Sequence, residues 1–82
     1  MDIITGIITT NSLTIKLSQK YYLLEFHLQI DSSILIHGDI IVHFKTSKPM
    51  DLKIGEKALV KGKIIINSGF IINATAIIKQ PI

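Results

Sequence analysis

Cysteine, arginine and tryptophan are absent from this 82-residue chain, and only two prolines and five aromatic residues occur in it. Without cysteine there is no disulfide framework, no thiolate metal site and no thiol nucleophile. Without arginine, the planar fork that reads guanine or grips phosphate bidentately is missing, so base-specific readout is not expected. Long apolar runs are lacking too: a bilayer-spanning helix needs about 20 consecutive apolar residues, and the best candidates are cut by Lys61, Lys63, Asn67 and Asn73. The start, "MDIITGIITT", carries Asp2 where a secretory signal carries positive charge. From these features a soluble, cytoplasmic protein is expected. Length allows one domain over residues 1–82, small enough that only about 60–65% of the unfolded surface can be buried.

What is present is isoleucine, nineteen of it, within a composition that is 48% hydrophobic. Apolar residues alternate with polar ones at period two, and β-branched residues recur throughout, which is the pattern of half-buried strands. The first strand reads Asp2 to Thr10, with a bend expected at Gly6. "LTIKL" follows, with Leu13, Ile15 and Leu17 on one side and Thr14 and Lys16 on the other. Tyr21–Ile30 sets Leu24, Phe26, Leu28 and Ile30 inward. Ile34 to about Thr46 sets Ile34, Ile36, Gly38, Ile40, Val42 and Phe44 inward. "SKPMDLKIGEK" is too broken for more than a helical turn. Two last strands, joined by an "NSG" turn, bury Ala58, Val60, Gly62, Ile64 and Ile66, then Phe70, Ile72, Ala74, Ala76 and Ile78. The fold class expected is all-β: a small five-stranded Greek-key barrel with little or no helix between strands three and four. Closure would also remove apolar sheet edges that invite aggregation.

The stretch "DLKIGEKALVKGKIIINSGFIINATAIIK" resembles the last third of OB-fold domains: a leucine with a glycine soon after, an apolar "V-x-G" strand, a glycine–aromatic turn, and a strand with alanine before "I-I-K". "DIITGIITT" is similar to the OB first strand, in which a glycine sets the bend of the barrel. The resemblance covers nearly the whole chain as a pattern and implies nucleic-acid-associated modules, such as anticodon-binding domains, single-strand binders and small subunits of replication assemblies. It implies a ligand face on the second and third strands.

Charge is uneven. Residues 45–63 hold six lysines against Asp51 and Glu56, whereas residues 1–44 hold Lys16 and Lys20 against Asp2, Glu25, Asp31 and Asp39. A basic face of this kind suits phosphates, and single strands need cations along the backbone together with flat side chains for base stacking. With the resemblance, this makes Lys16, Tyr21, His27, His43, Lys45, Lys57, Lys61 and Lys63 the candidate nucleic-acid-binding residues. Leu35, Ile41, Leu59, Ile65, Ile71 and Ile77 fall on the outward parity and form a candidate protein interface, as an accessory subunit would need. If "DSS" centres a tight hairpin, His27 faces His37 and Glu25 faces Asp39, a set of four groups that could hold zinc. That is a minor reading beside ordinary exposed polar residues, and no cofactor is expected. No Gly-x-Ser-x-Gly elbow or phosphate-cradling glycine loop occurs, so an enzyme is not expected. The reading is a non-enzymatic accessory subunit of a replication or repair assembly, binding single-stranded DNA or RNA weakly through lysines. Its rival is a module that contacts only a larger protein.

Overall fold

The computed structural model describes residues 1–30, 39–66 and 69–81. They form six strands: β1 (Asp2–Ile8), β2 (Leu13–Lys16), β3 (Tyr22–Ile30), β4 (Asp39–Thr46), β5 (Lys57–Ile66) and β6 (Phe70–Gln80). No helix occurs among the described residues. The strands lie in the order β1-β5-β6-β4-β3-β2, and an additional β1–β3 pairing joins the ring. Five strands thus close into an OB-type barrel, all antiparallel pairs except the parallel β4–β6 pair. β2 stands outside the ring and, among the described residues, pairs with β3 alone.

Closure turns on β1. It pairs with β5 along Asp2–Ile7 and with β3 along Gly6–Ile8, so Gly6 faces Ala58 on one side and Ile30 on the other. At this corner the chains approach too closely for a side chain: a Cβ on Gly6 would lie 2.2 Å from the Gln29 carbonyl oxygen. Gly62 meets the same constraint against β6, where its Cβ would sit 2.2 Å from the Asn73 carbonyl oxygen. The interior is filled by Ile8, Leu24, Phe26, Leu28, Ile40, Val42, Ala58, Val60 and Ile72, with Ile4, Ile30, Phe44, Ile64, Phe70 and Ala74 packed against them. No polar side chain is buried among the described residues.

Between β4 and β5, where an extra helix was not expected, the chain instead inserts Leu52, which is buried, with Met50 packed beside it. The following turn is fastened to the end of β1: Gly55 N–H donates to the Ile8 carbonyl at 2.8 Å, and Ile8 N–H donates to the Glu56 carbonyl at 2.9 Å. Gly55 has φ of 93°, a conformation that side chains resist.

Three expectations are corrected. Strict alternation places Ile78 inward and Ile77 outward, but a bulge reverses them. Gly62 pairs with Ala74 and Lys61 with Ala76, leaving Thr75 as the extra residue of β6. Beyond that bulge the parity flips, so Ile77 joins the core while Ile78 is 54% exposed, and Ala76 shares the outer face with Lys61. Ile77 is therefore not part of an outer protein interface. Ile66, expected inside, is 73% exposed because it lies at the last pair of the β5–β6 ladder, beyond the packed interior. The β3–β4 register is also different: Glu25 faces His43, His27 faces Ile41 and Gln29 faces Asp39. Partners are displaced by an even number of residues, so the inside and outside faces survive. The part of the third strand expected over 34–38 lies outside the described residues.

Two stability measurements test this framework. Ile77→Ala costs about 2–5 kcal/mol in chemical denaturation, and Ile78→Ala stays within about 0.5 kcal/mol of wild type; the reverse order would restore unbroken alternation. Gly6→Ala forces backbone apart and costs about 1–3 kcal/mol, lowering Tm by roughly 4–8 °C per kcal/mol. Gly69→Ala, where an added Cβ meets nothing within 4 Å, leaves Tm unchanged.

Candidate nucleic-acid interface

Outward positions on neighbouring strands fall into rows that cross the barrel wall. One row runs from His27 on β3 through Ile41 on β4 and Ile71 on β6 to Ile65 on β5. The next runs from Glu25 through His43 and Asn73 to Lys63. The first is mainly apolar and gathers Ile41, Ile65 and Ile71, three of the residues expected at a protein interface. Leu59 is set apart from them by Lys61 and Lys63, and pairs instead with Ile78 and Thr5. Leu35 lies outside the described residues.

The cations form two groups rather than one face. On β5, Lys57, Lys61 and Lys63 point outward along a single strand. Lys61 pairs with Ile3 and Ala76, and Lys63 with Asn73. Among the described residues no carboxylate comes within ion-pair distance of Lys61 or Lys63. Lys57 pairs with Ile7 and Gln80 at the far end of the strand. The second group is Lys45 and Tyr21. The Lys45 ammonium sits 4.8 Å above the Tyr21 ring centroid, while the ring remains 44% exposed. Two strand spacings, about 10 Å, separate β4 from β5. Lys16 pairs with Tyr22 but projects from the opposite face of β2 to Leu13 and Ile15.

Tyr21 is held in place by its backbone. Its carbonyl accepts from Leu17 N–H at 3.0 Å and Ser18 N–H at 3.2 Å, and its own N–H donates to Ser18 Oγ at 3.2 Å. A tight serine turn of this kind positions the ring at the mouth of β3. Phe26, Phe44 and Phe70 all pack in or against the core, which leaves no phenylalanine for stacking.

The histidines behave differently from the lysines. His43 Nε2 lies 3.7 Å from Glu25 Oε1, so a carboxylate occupies the middle of the face implied for the ligand. His27 has its backbone secured, its N–H donating to Thr10 Oγ1 at 2.9 Å and its carbonyl accepting from Thr9 N–H at 3.0 Å. It borders a shallow depression of about 170 Å³ with Thr10, Asn11, Leu13, Glu25 and Phe26. Asp39 is engaged by the Thr9 hydroxyl, which donates at 2.6 Å.

The zinc arrangement fails on register. Glu25 opposes His43 and not Asp39, His27 opposes Ile41, and His37 lies outside the described residues. Among the described residues no group of three histidine or carboxylate side chains converges. A larger open depression of about 650 Å³ lies at the bulge, lined by Met1, Asp2, Gly62, Lys63, Ile64, Asn73 and Thr75. Asp2 is used structurally there, its carboxylate accepting from Ile64 N–H at 3.2 Å. Sequence pattern alone did not single out Asn73 and Thr75, because the bulge that presents them depends on how β5 and β6 pair.

A scan of the chain against protein-family models finds no match, and searches of curated proteins and of solved structures find none either.

The Lys45–Tyr21 contact has a direct check. A double-mutant cycle with Lys45→Met and Tyr21→Leu yields a coupling of about 0.5–1 kcal/mol, the range of an exposed cation–π pair. Additive effects in urea denaturation would show that the two side chains do not interact.

Proposed function

We propose that the protein is a non-enzymatic binding module that holds single-stranded nucleic acid weakly and without sequence preference, as a small accessory subunit of a replication or repair assembly. The observation that carries this reading is the pair Lys61 and Lys63, adjacent on the outer face of β5 with no carboxylate partner among the described residues. Successive outward residues on a strand are about 6.6 Å apart, so the two ammonium groups offer neighbouring phosphate contacts. Tyr21 supplies one stacking surface, and Lys45 beside it a further cation. With a single well-exposed ring, stacking contributes about 1–3 kcal/mol, so phosphate contacts dominate the affinity. The OB-type strand order supports the same reading by analogy of fold.

A second reading, a protein-interaction subunit, is favoured by the row Ile41–Ile71–Ile65 and by the 39% exposure of Ile65 at its end. Apolar residues grouped in this way mark contact surfaces more often than scattered ones do.

Salt dependence separates the two. Binding of a single-stranded oligonucleotide through Lys45, Lys61 and Lys63 gives a slope of log K against log salt near −2, at about −0.7 per phosphate. The Lys61→Gln/Lys63→Gln variant reduces the magnitude of that slope by about 1.4 and keeps the wild-type Tm, while Glu25→Gln leaves binding undiminished. A wild-type protein that does not bind at low salt would leave the protein-interaction reading in place.

A further inference from the structure

Among the described residues the closed ring has one strand outside it, and that strand has a free edge. Among these residues β2 is paired with β3 on one side and with no other strand. Hydrogen-bond alternation shows which of its backbone groups are spent. Leu17 N–H bonds to Tyr21 and Thr9 N–H bonds to His27, so odd-numbered residues of β3 face the β1/β2 edge. In an antiparallel ladder, bonded and non-bonded pairs alternate. Leu13–Glu25 and Ile15–Leu23 are therefore the bonded pairs, and the N–H and C=O groups of Thr14 and Lys16 point away from β3. On one face of this edge Leu13 is 56%, Ile15 39% and Leu17 50% exposed.

We propose that β2 pairs with β2 of a second copy of this chain, antiparallel about a two-fold axis through Ile15. This register is self-complementary. It bonds Thr14 of one copy to Lys16 of the other, and Lys16 to Thr14, which satisfies all four open groups on each edge. It sets Ile15 against Ile15 as a close non-bonded pair and each Leu13 against the other copy's Leu17, so the three exposed apolar residues of each copy meet one another. It also places each Lys16 opposite a threonine instead of opposite its own image. A lone edge lysine otherwise discourages strand pairing, and here its charge is offset from the axis. The contact is short, well under the about 1,200 Å² of a standard stable interface, so the dimer forms in a concentration-dependent manner. The inference is independent of nucleic-acid binding.

Sedimentation equilibrium from micromolar to millimolar protein tests it. The expected result is a mass that rises from the 9.1 kDa monomer towards twice that value. Thr14→Pro removes only an N–H that points off the sheet, a position where strands accept proline; it keeps the wild-type Tm and stays monomeric. Because the chain lacks cysteine, single-cysteine variants provide a geometric readout. Ile15→Cys brings two Cα atoms to about 4.5 Å across the axis, within disulfide range. It oxidises to a covalent dimer several-fold faster than Ile3→Cys, an exposed site away from β2. A single 9.1 kDa species throughout, a Thr14→Pro variant that still dimerises, or equal oxidation rates for the two cysteine variants would each overturn the proposal.

Discussion

The barrel depends on the contact between β1 and its two neighbours at Gly6. One residue serves both sides of the seam, facing Ala58 and Ile30 at once, and the Gln29 carbonyl occupies the space a side chain would need. Without that approach β1 could follow β5 or β3 but not both. The sheet would then stay open and expose the ladder edges of strands that are rich in isoleucine. For a chain of 82 residues, with little surface to bury and no covalent staple, closure is what makes one continuous core available to Ile8, Leu28, Val60 and their neighbours. Leu52 and the turn bonded to Ile8 complete it from one side.

The bulge at Thr75 is the second constraint, and it acts outward as much as inward. By adding one residue to β6 it returns Ile77 to the core and turns Ile78 out. The depression beside Lys63 and Asn73 opens at the same place. Surface chemistry near β5 is thus a by-product of how β6 is accommodated against Gly62. A small change in strand pairing sets which side chains meet solvent.

Electrostatically, the outer wall is divided. Glu25 and His43 stand together near the middle of the β3–β4 surface, while Lys45 with Tyr21 lies next along the same strands and Lys61 with Lys63 two strands away on β5. A polyanion approaching this wall is attracted by these lysines and repelled at Glu25. That geometry accords with loose, salt-sensitive contact and gives no means of reading bases, in keeping with the absence of arginine. The exposed residues Leu13, Ile15 and Leu17 and the Ile41–Ile71–Ile65 row are separate apolar surfaces.

The alternation of apolar and polar residues along β3, β4 and most of β5 was enough to assign inside from outside, because a strand's faces repeat every two residues whatever it pairs with. The glycine inside the first strand likewise marked Gly6 as a point of bending. Cross-strand partners were not legible. "DSS" looked like a tight turn, yet Glu25 meets His43 and His27 meets Ile41, since register comes from the pairing of distant segments; an even displacement hides itself by keeping every face correct. For the same reason the bulge, the burial of Ile77, the Lys45–Tyr21 contact and the two separate lysine groups were decided only when the strands closed on one another. Sequence periodicity is a property of one strand, while a site is a property of several, and only tertiary contact brings those strands into line.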